Sequence, residues 1–102
     1  MVFAVIRTRG PAWQDVRRLE DQVDWPPHAS FMNALAKEGF VILGGPLEGT
    51  PDVLLIVRAE SADEIRTRLA DDPWADHLLR VTCVTPWTLR LGSLDQRYGG
   101  AP

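Results

Sequence analysis

The sequence predicts an α+β fold in which helices pack on one antiparallel sheet. The prediction depends on short apolar runs typical of strands, on helical spacing between those runs, and on a length of 102 residues, which suits a single domain. Hydrophobic residues make up 45% of the chain and charged residues 25%, as in ordinary globular proteins. We expect one domain over residues 1–91 and a loosely ordered, glycine-rich tail over residues 92–102.

The first half of the chain predicts one strand, two helices and a second strand. Residues 2–8 combine β-branched and aromatic side chains and end at a Gly-Pro turn. Apolar spacing predicts a short helix over residues 13–21 and a longer one over residues 28–38. A second apolar run over residues 40–43 then meets Gly44-Gly45-Pro46, which is expected to end the strand.

Residues with capping preferences mark the ends of the helices. Asp24 precedes the longer helix as its N-cap, Pro26-Pro27 suit its first turn, and Gly39 is expected to end it. Ser61 and Glu64 have the spacing of a capping box. In such a box the hydroxyl accepts from the Glu64 N–H, and the carboxylate accepts from the Ser61 N–H.

The second half of the chain predicts a strand, a helix and a strand. Residues 53–57 follow a turn-rich segment, so they are expected to form a hairpin with residues 40–43. The capping box predicts a helix over residues 62–70. Alternating side chains over residues 79–91 predict the fourth strand, with Pro86 at a bulge or an edge.

The predicted order of strands and helices is that of the ferredoxin-like split βαβ fold. In this fold the helices cover one face of the sheet. The runs over residues 40–43 and 53–57 are apolar throughout, which indicates that the second face is covered as well. A chain of this length has no second layer for that purpose, so we expect two copies to pair face to face as a homodimer.

Charge and hydropathy argue against two classes of partner. Eleven Lys and Arg against fourteen Asp and Glu give a net charge of −3, and no basic cluster is present to neutralise nucleic-acid phosphates. No apolar run reaches the ~18 residues of a membrane span, and the N-terminus lacks the pattern of a signal peptide. We therefore expect no nucleic-acid partner, no membrane partner and a cytoplasmic location.

Several notable side chains are assigned structural rather than chemical roles. Two histidines and one cysteine, without metal-ligand spacing, argue against a metal site, and no motif calls for a cofactor. His77 is interpreted as a surface residue and Cys83 as a small core residue of the last strand. Trp13 is expected to pack the first predicted helix, and Trp87 to serve the sheet or the dimer face.

Short pieces of sequence resemble the YCII-related proteins, a family of the dimeric α+β barrel superfamily. In chain order the pieces are Pro27-His28, Phe31-Met32-x-x-Leu35 with Gly39, Gly44-Gly45-Pro46-Leu47, residues 59–64, Asp72-Pro73-Trp74 and Pro86-Trp87. The match covers most of the chain, and its specificity lies in the order of the pieces. The resemblance implies a ferredoxin-like fold, a cleft between helices and sheet, and a catalytic His–Asp pair, which falls here on His28 and Asp72.

His28 is suited to general base catalysis by its place in the helix. It lies three residues before Phe31, four before Met32 and seven before Leu35, which puts the imidazole on the buried face. The partial positive charge of a helix N-terminus disfavours imidazolium, so a neutral ring that accepts a proton is favoured. The alternative is a core histidine that hydrogen-bonds a backbone carbonyl, or a residue that merely fills the first turn.

Asp72 has two compatible interpretations. As the residue before Pro73, it suits the N-cap of a helix. As the partner of His28, its carboxylate would orient the ring and stabilise imidazolium during proton transfer. The two residues meet if residues 13–24 descend along the sheet and bring His28 level with the end of the helix over residues 62–70. They do not meet within one subunit if that segment folds back over the surface.

Further residues are candidates for substrate binding. Trp25 and Trp74 flank the candidate pair in sequence and are expected to form pocket walls. Arg7 and Arg9 alternate on one side of the first strand, where a carboxylate would be held, although solvated strand-end charges are the commoner explanation. Gly45 permits close approach of a ligand, although a bulge or a turn is an equal alternative. The predicted substrate-binding residues are Arg7, Trp25, Phe31, Gly45, Pro46 and Trp74.

The leading functional hypothesis is a small cofactor-independent enzyme. His28, assisted by Asp72, would act as general acid or base on a small organic acid, a lactone or a related carbonyl compound. The resemblance guides the substrate class, because one family member acts as a dehydrochlorinase on a lactone of aromatic degradation. Lyase or isomerase chemistry fits best, since it needs only proton removal and return. The alternative is a small-molecule-binding or interaction module that uses the same cleft without turnover.

Overall fold

The computed structural model describes residues 1–94 and confirms the predicted fold class. One antiparallel sheet has the strand order β2-β3-β1-β4, and with two α-helices it forms a ferredoxin-like α+β fold. The elements are β1 (Val2–Arg9), α1 (Trp25–Lys37), β2 (Val41–Pro46), β3 (Asp52–Arg58), α2 (Ala62–Leu69) and β4 (Leu79–Pro86).

Only the first residues of the predicted tail can be compared with the structure. Residues 92–94 form neither helix nor strand. The rest of that prediction, over residues 95–102, lies outside the described residues.

The core lies between the two helices and one face of the sheet. Val5 of β1 and Leu55 of β3 are partners across the sheet and are both buried. Leu35 of α1 and Ile65 of α2 pack against the same face. Burial of these apolar side chains is the main force that holds the helices on the sheet. The buried cluster consists of Phe3, Val5, Leu35, Phe40, Val41, Leu55, Val57, Ala59, Ile65 and Leu69.

The prediction of a helix over residues 13–21 is wrong. The stretch is a loop with one 3₁₀ turn at Leu19–Asp21. The buried side chain of Gln22 donates to the carbonyls of Gln14 at 2.8 Å and Arg17 at 3.2 Å, and it accepts from the Gln14 N–H at 3.0 Å. This amide occupies backbone groups that a helix would use, so the chain closes into a compact loop. We call residues 10–24 the Gln22 loop.

The longer helix begins earlier than predicted, at Trp25 rather than at His28. Asp24 occupies the N-cap position as predicted, but it has a φ of 59° and its side chain makes no capping hydrogen bond. Pro26-Pro27 lie in the first turn, where a missing N–H costs little. Gly39, with a φ of 88°, follows the end of the helix as predicted.

The predicted capping box at α2 is half confirmed. Ser61 Oγ accepts from the Glu64 N–H at 3.1 Å. The Glu64 carboxylate accepts from the Glu60 N–H at 2.8 Å instead of from the Ser61 N–H. The helix therefore starts where the sequence places it, with the return bond shifted by one residue.

The hairpin of β2 and β3 is confirmed, but the predicted end of β2 before Gly44-Gly45-Pro46 is wrong. The strand continues through these residues to Pro46. A Cβ on Gly44 would lie 2.6 Å from Leu55 Cδ2. Because glycine has no Cβ, the Leu55 side chain of β3 can pack directly against the β2 backbone at Gly44.

The last strand ends at Pro86 and not at residue 91, as predicted. The Trp87 N–H bonds the carbonyl of Val2 at 2.8 Å. Because β1 begins at Val2, no β1 residue stands opposite the residues after Trp87. Trp87 itself is 46% exposed.

β4 is an edge strand of the sheet, as the position of Pro86 indicates. The pairing of β4 with β1 shifts between Ile6 and Arg7, so that Thr82 is bulged out. Cys83 pairs with Ile6 on the face away from the helices and is exposed. The prediction of Cys83 as a core residue is therefore wrong.

Candidate functional site

His28 and Asp72 lie in direct contact. The ring Nδ1 of His28 is 2.9 Å from Oδ1 and 3.0 Å from Oδ2 of Asp72. His28 lies in the first turns of α1, and Asp72 follows the end of α2. The Gln22 loop therefore brings the start of one helix to the end of the other, and His28 bonds a carboxylate rather than the backbone carbonyl of the alternative interpretation.

The same carboxylate is held from two further directions. Arg7 Nη1, from β1, donates to Oδ2 at 2.7 Å, and the backbone N–H of Trp74 donates to Oδ1 at 2.9 Å. The Ala75 N–H also bonds the Asp72 carbonyl at 2.8 Å. Asp72 thus caps a tight turn; no helix starts here, so the interpretation as a helix N-cap is wrong.

These bonds determine the charge of Asp72. Burial by itself would raise the pKa of Asp72, but the hydrogen bonds from His28, the Trp74 N–H and Arg7, with the charge of Arg7, outweigh it and hold the pKa below its ordinary value. The carboxylate is therefore ionised at neutral pH. The stability that this charged form contributes is present above the pKa of an unfolded aspartate and is lost as pH falls through the lowered value.

Two tryptophans fix the imidazole ring. The Trp74 ring stacks on His28, with 3.8 Å between centroids and 9° between planes. Its indole N–H donates to the Val23 carbonyl at 2.6 Å, which ties the ring to the Gln22 loop. Trp25 lies at 5.7 Å from both rings. Stacking on one side and the Asp72 bond on the edge leave His28 little freedom to rotate.

The other ring nitrogen of His28 is left for a cavity. Among the described residues, the ring hydrogen-bonds only through Nδ1. His28 lines a cavity of about 500 Å³, a volume that suits a small organic ligand. When Nδ1–H donates to Asp72, the neutral ring carries its lone pair on Nε2. That atom can accept a proton from a molecule in the cavity.

Five of the six predicted substrate-binding residues line this cavity. They are Arg7, Trp25, Gly45, Pro46 and Trp74. Phe31 is half-buried and packs against the core cluster instead. Arg7 is 1% exposed and bonds Asp72, so the alternative of a solvated strand-end charge is wrong for this residue.

Two further residues line the cavity wall, of which the sequence indicated Arg9 but not Trp13. The Trp13 ring meets Trp74 edge to face at 5.6 Å, so its expected packing on a helix of its own is wrong. The Arg9 guanidinium carbon lies 4.5 Å over the Trp13 ring. Only the alternation of Arg9 with Arg7 hinted at this position. Nothing in the sequence marked Gln22 as the residue that shapes the loop.

Metal ligands and the second histidine were both considered in the sequence analysis. The described residues contain no group of three or more His, Cys, Asp and Glu side chains placed to hold a metal ion. His77 is exposed, as predicted, and its Nδ1 lies 2.9 Å from the Ala75 carbonyl.

In the part of the chain that the structure describes, no helix combines the length and the hydropathy that a membrane crossing requires.

Fold and site together define a small ferredoxin-like α+β protein with a buried Arg–Asp–His cluster beside a cavity. No protein-family model matches the chain, and no curated protein matches it either. The function is therefore argued from the geometry of the site.

Because Arg7 and Asp72 form a buried ion pair, the effects of replacing them on the free energy of unfolding should be strongly coupled. Arg7→Met leaves the Asp72 charge buried beside fewer donors, and Asp72→Asn leaves Arg7 unpaired, so each variant should lower the free energy of unfolding by roughly 3–5 kcal/mol. The double variant should cost clearly less than the sum of the two. Urea denaturation measures all three. Arg18→Met, which removes the exposed pair with Asp21, serves as the control and should change little. Strict additivity of the two buried changes would contradict the coupling.

Proposed function

We propose that this protein is a cofactor-independent enzyme that transfers a proton through His28 on a small organic acid or lactone, as a relative of the YCII-related proteins that it resembles. One observation supports this above all: Nδ1 of His28 is 2.9 Å from a buried carboxylate, and Nε2 is left for the cavity. This arrangement of base and orienting acid recurs in enzymes that need a proton acceptor. The proposed location is the cytoplasm, where a single cysteine stays reduced.

The proposed reaction begins at a carbon next to a carbonyl group. Nε2 of His28 accepts the proton, and the electron pair of the broken C–H bond forms an enolate. In a lyase, that pair then expels a leaving group from the neighbouring carbon, and the proton passes to the leaving group or to water. In an isomerase, imidazolium returns the proton to a different carbon. Asp72 stays ionised throughout and stabilises the imidazolium.

Aromatic and apolar side chains favour this chemistry. The cavity wall includes Trp25, Trp74, Met32 and Leu55, which limit the access of water to the reacting atoms. Electrostatic interactions are stronger where water is excluded. The stack of Trp74 on His28 holds the base in place before the substrate arrives, so little reorganisation is needed during the reaction.

The alternative is a binding module that uses the same cavity without turnover. One observation favours it: the Arg7–Asp72–His28 cluster is buried and bonds three separate parts of the chain, which a structural role alone would explain. Under this alternative His28 serves the fold, and its exchange would affect stability more than chemistry.

The His28→Gln variant separates the two proposals. Glutamine keeps polar contacts but cannot cycle a proton, so turnover should fall by roughly 10²–10⁴-fold while the fold is retained. The assay follows exchange of carbon-bound protons in D₂O by NMR, over a panel of lactones and small carboxylic acids. His77→Gln, at the exposed histidine, is the matched control and should exchange as the wild type does. A His28→Gln variant with undiminished exchange would contradict the enzyme proposal.

We propose also that two copies pair through the sheet face away from the helices, as in a dimeric α+β barrel. On this face Ala4, Ile6 and Leu54 are half-buried, and Leu43 is 49% exposed. Apolar side chains on a sheet face favour a second layer. A homodimer supplies that layer without further chain.

Leu54→Asp places a charge in the centre of this face and should convert the dimer to a monomer, because a buried, unpaired charge is costly at an interface. Size-exclusion chromatography with light scattering, at micromolar concentration, gives the mass of both proteins. Thr67→Asp, on the exposed surface of α2, is the control and should leave the mass unchanged. A monomeric wild type would contradict the proposal.

A further inference from the structure

The charges around the cavity have the opposite sign to the charge of the whole chain. The chain carries a net charge of −3. The charged residues that line the cavity are nevertheless four arginines and one aspartate, namely Arg7, Arg9, Asp15, Arg17 and Arg18. A concave, partly apolar site with a surplus of positive charge attracts anions.

Two of these arginines are available to a ligand. Arg7 is paired with Asp72, and Arg18 with Asp21 at 3.2 Å. Arg9 and Arg17, by contrast, have no ion-pair partner among residues 1–94. The unpaired positive charge at the cavity therefore lies at the end of β1 and on the Gln22 loop.

Arg9 is held in a position that suits a carboxylate. Its guanidinium carbon lies over the Trp13 ring, 4.5 Å from the centroid, which is a cation–π contact. Arg9 is exposed, and its guanidinium donates no hydrogen bond to a described residue, so the fork of its N–H donors remains for a ligand. This fork matches the two oxygens of a carboxylate.

The cavity wall between Arg9 and His28 is aromatic. Neighbouring rings are in contact in the order His28, Trp74, Trp13, with centroid distances of 3.8 Å and 5.6 Å. Trp74 is itself fully buried, so the rings that face a ligand are the partly buried Trp13 and Trp25, each of which contacts Trp74. Such a wall favours a flat, apolar ligand body.

We infer that the ligand of this cavity is a flat carboxylate anion, whose carboxylate binds Arg9 and whose body lies against Trp13 and Trp25 beside His28. Arg9 is then the residue that determines specificity, and a neutral molecule of the same shape binds more weakly. The inference deepens the proposed function and rests on it only for the approach of the ligand to His28. Binding itself requires no turnover.

Benzoate and benzamide test this inference as a charged and a neutral probe of the same shape. Three of the four tryptophans line the cavity, so quenching of intrinsic fluorescence reports occupancy. Benzoate should bind about tenfold more tightly than benzamide, the advantage of a charge-assisted hydrogen bond at a partly exposed site. Added NaCl should weaken benzoate binding and leave benzamide binding unchanged.

Arg9→Met removes the charge at nearly constant length. It should lower benzoate affinity about tenfold and bring it to the level of benzamide. Arg58→Met, at an exposed arginine outside the cavity, is the matched control and should keep the full preference for benzoate. The salt titration of the wild type tests the same claim without any variant.

His28→Gln distinguishes this inference from the proposed function. The variant should retain the preference for benzoate even though turnover is lost. If the exchange assay detects no turnover but benzoate is still preferred, the enzyme proposal fails and the anion site is still supported. Equal binding of the two probes, salt-independent benzoate binding, no saturable quenching by millimolar benzoate, or a full preference in Arg9→Met would each overturn the inference.

Discussion

The carboxylate of Asp72 is the point on which three parts of the chain converge. It accepts from His28 at the start of α1, from Arg7 in β1, and from the Trp74 N–H in the segment after α2. A buried carboxylate is stable only when such donors replace its water. The position of α1 relative to the sheet, the turn at residues 72–75 and the orientation of the imidazole are therefore determined together.

The site contains a buried pair of residues proposed for chemistry and a separate set proposed for recognition. The groups proposed for chemistry, His28 in α1 and Asp72 in the turn after α2, are buried and hydrogen-bonded to each other, which keeps their geometry constant. Of the groups proposed for recognition, Arg9 is the last residue of β1 and Trp13 belongs to the Gln22 loop. The cluster also carries a cost, because Arg7 Nε is a buried donor that lacks a partner among the described residues.

The sequence correctly predicted the strands and helices whose positions depend on local signals. Apolar runs placed the four strands, and Ser61 with its box placed α2, because these patterns act within a few residues. The helix prediction failed in the Gln22 loop, where the Gln22 amide bonds backbone groups five and eight residues away in place of helical hydrogen bonds. In the site, His28 and Asp72 were candidates, but the contact of Arg7 with Asp72, 65 residues away, depends on how the segment after α2 packs against β1.

The proposed chemistry requires that His28 donates Nδ1–H to Asp72 and keeps the lone pair of Nε2 for the cavity. Ring ¹⁵N chemical shifts of His28, assigned by the loss of its signals in His28→Gln, test this directly. In the neutral ring we predict a protonated Nδ1 and an unprotonated Nε2, with the Nδ1 signal shifted in Asp72→Asn. A neutral ring that carries its proton on Nε2 would contradict the proposed role of His28.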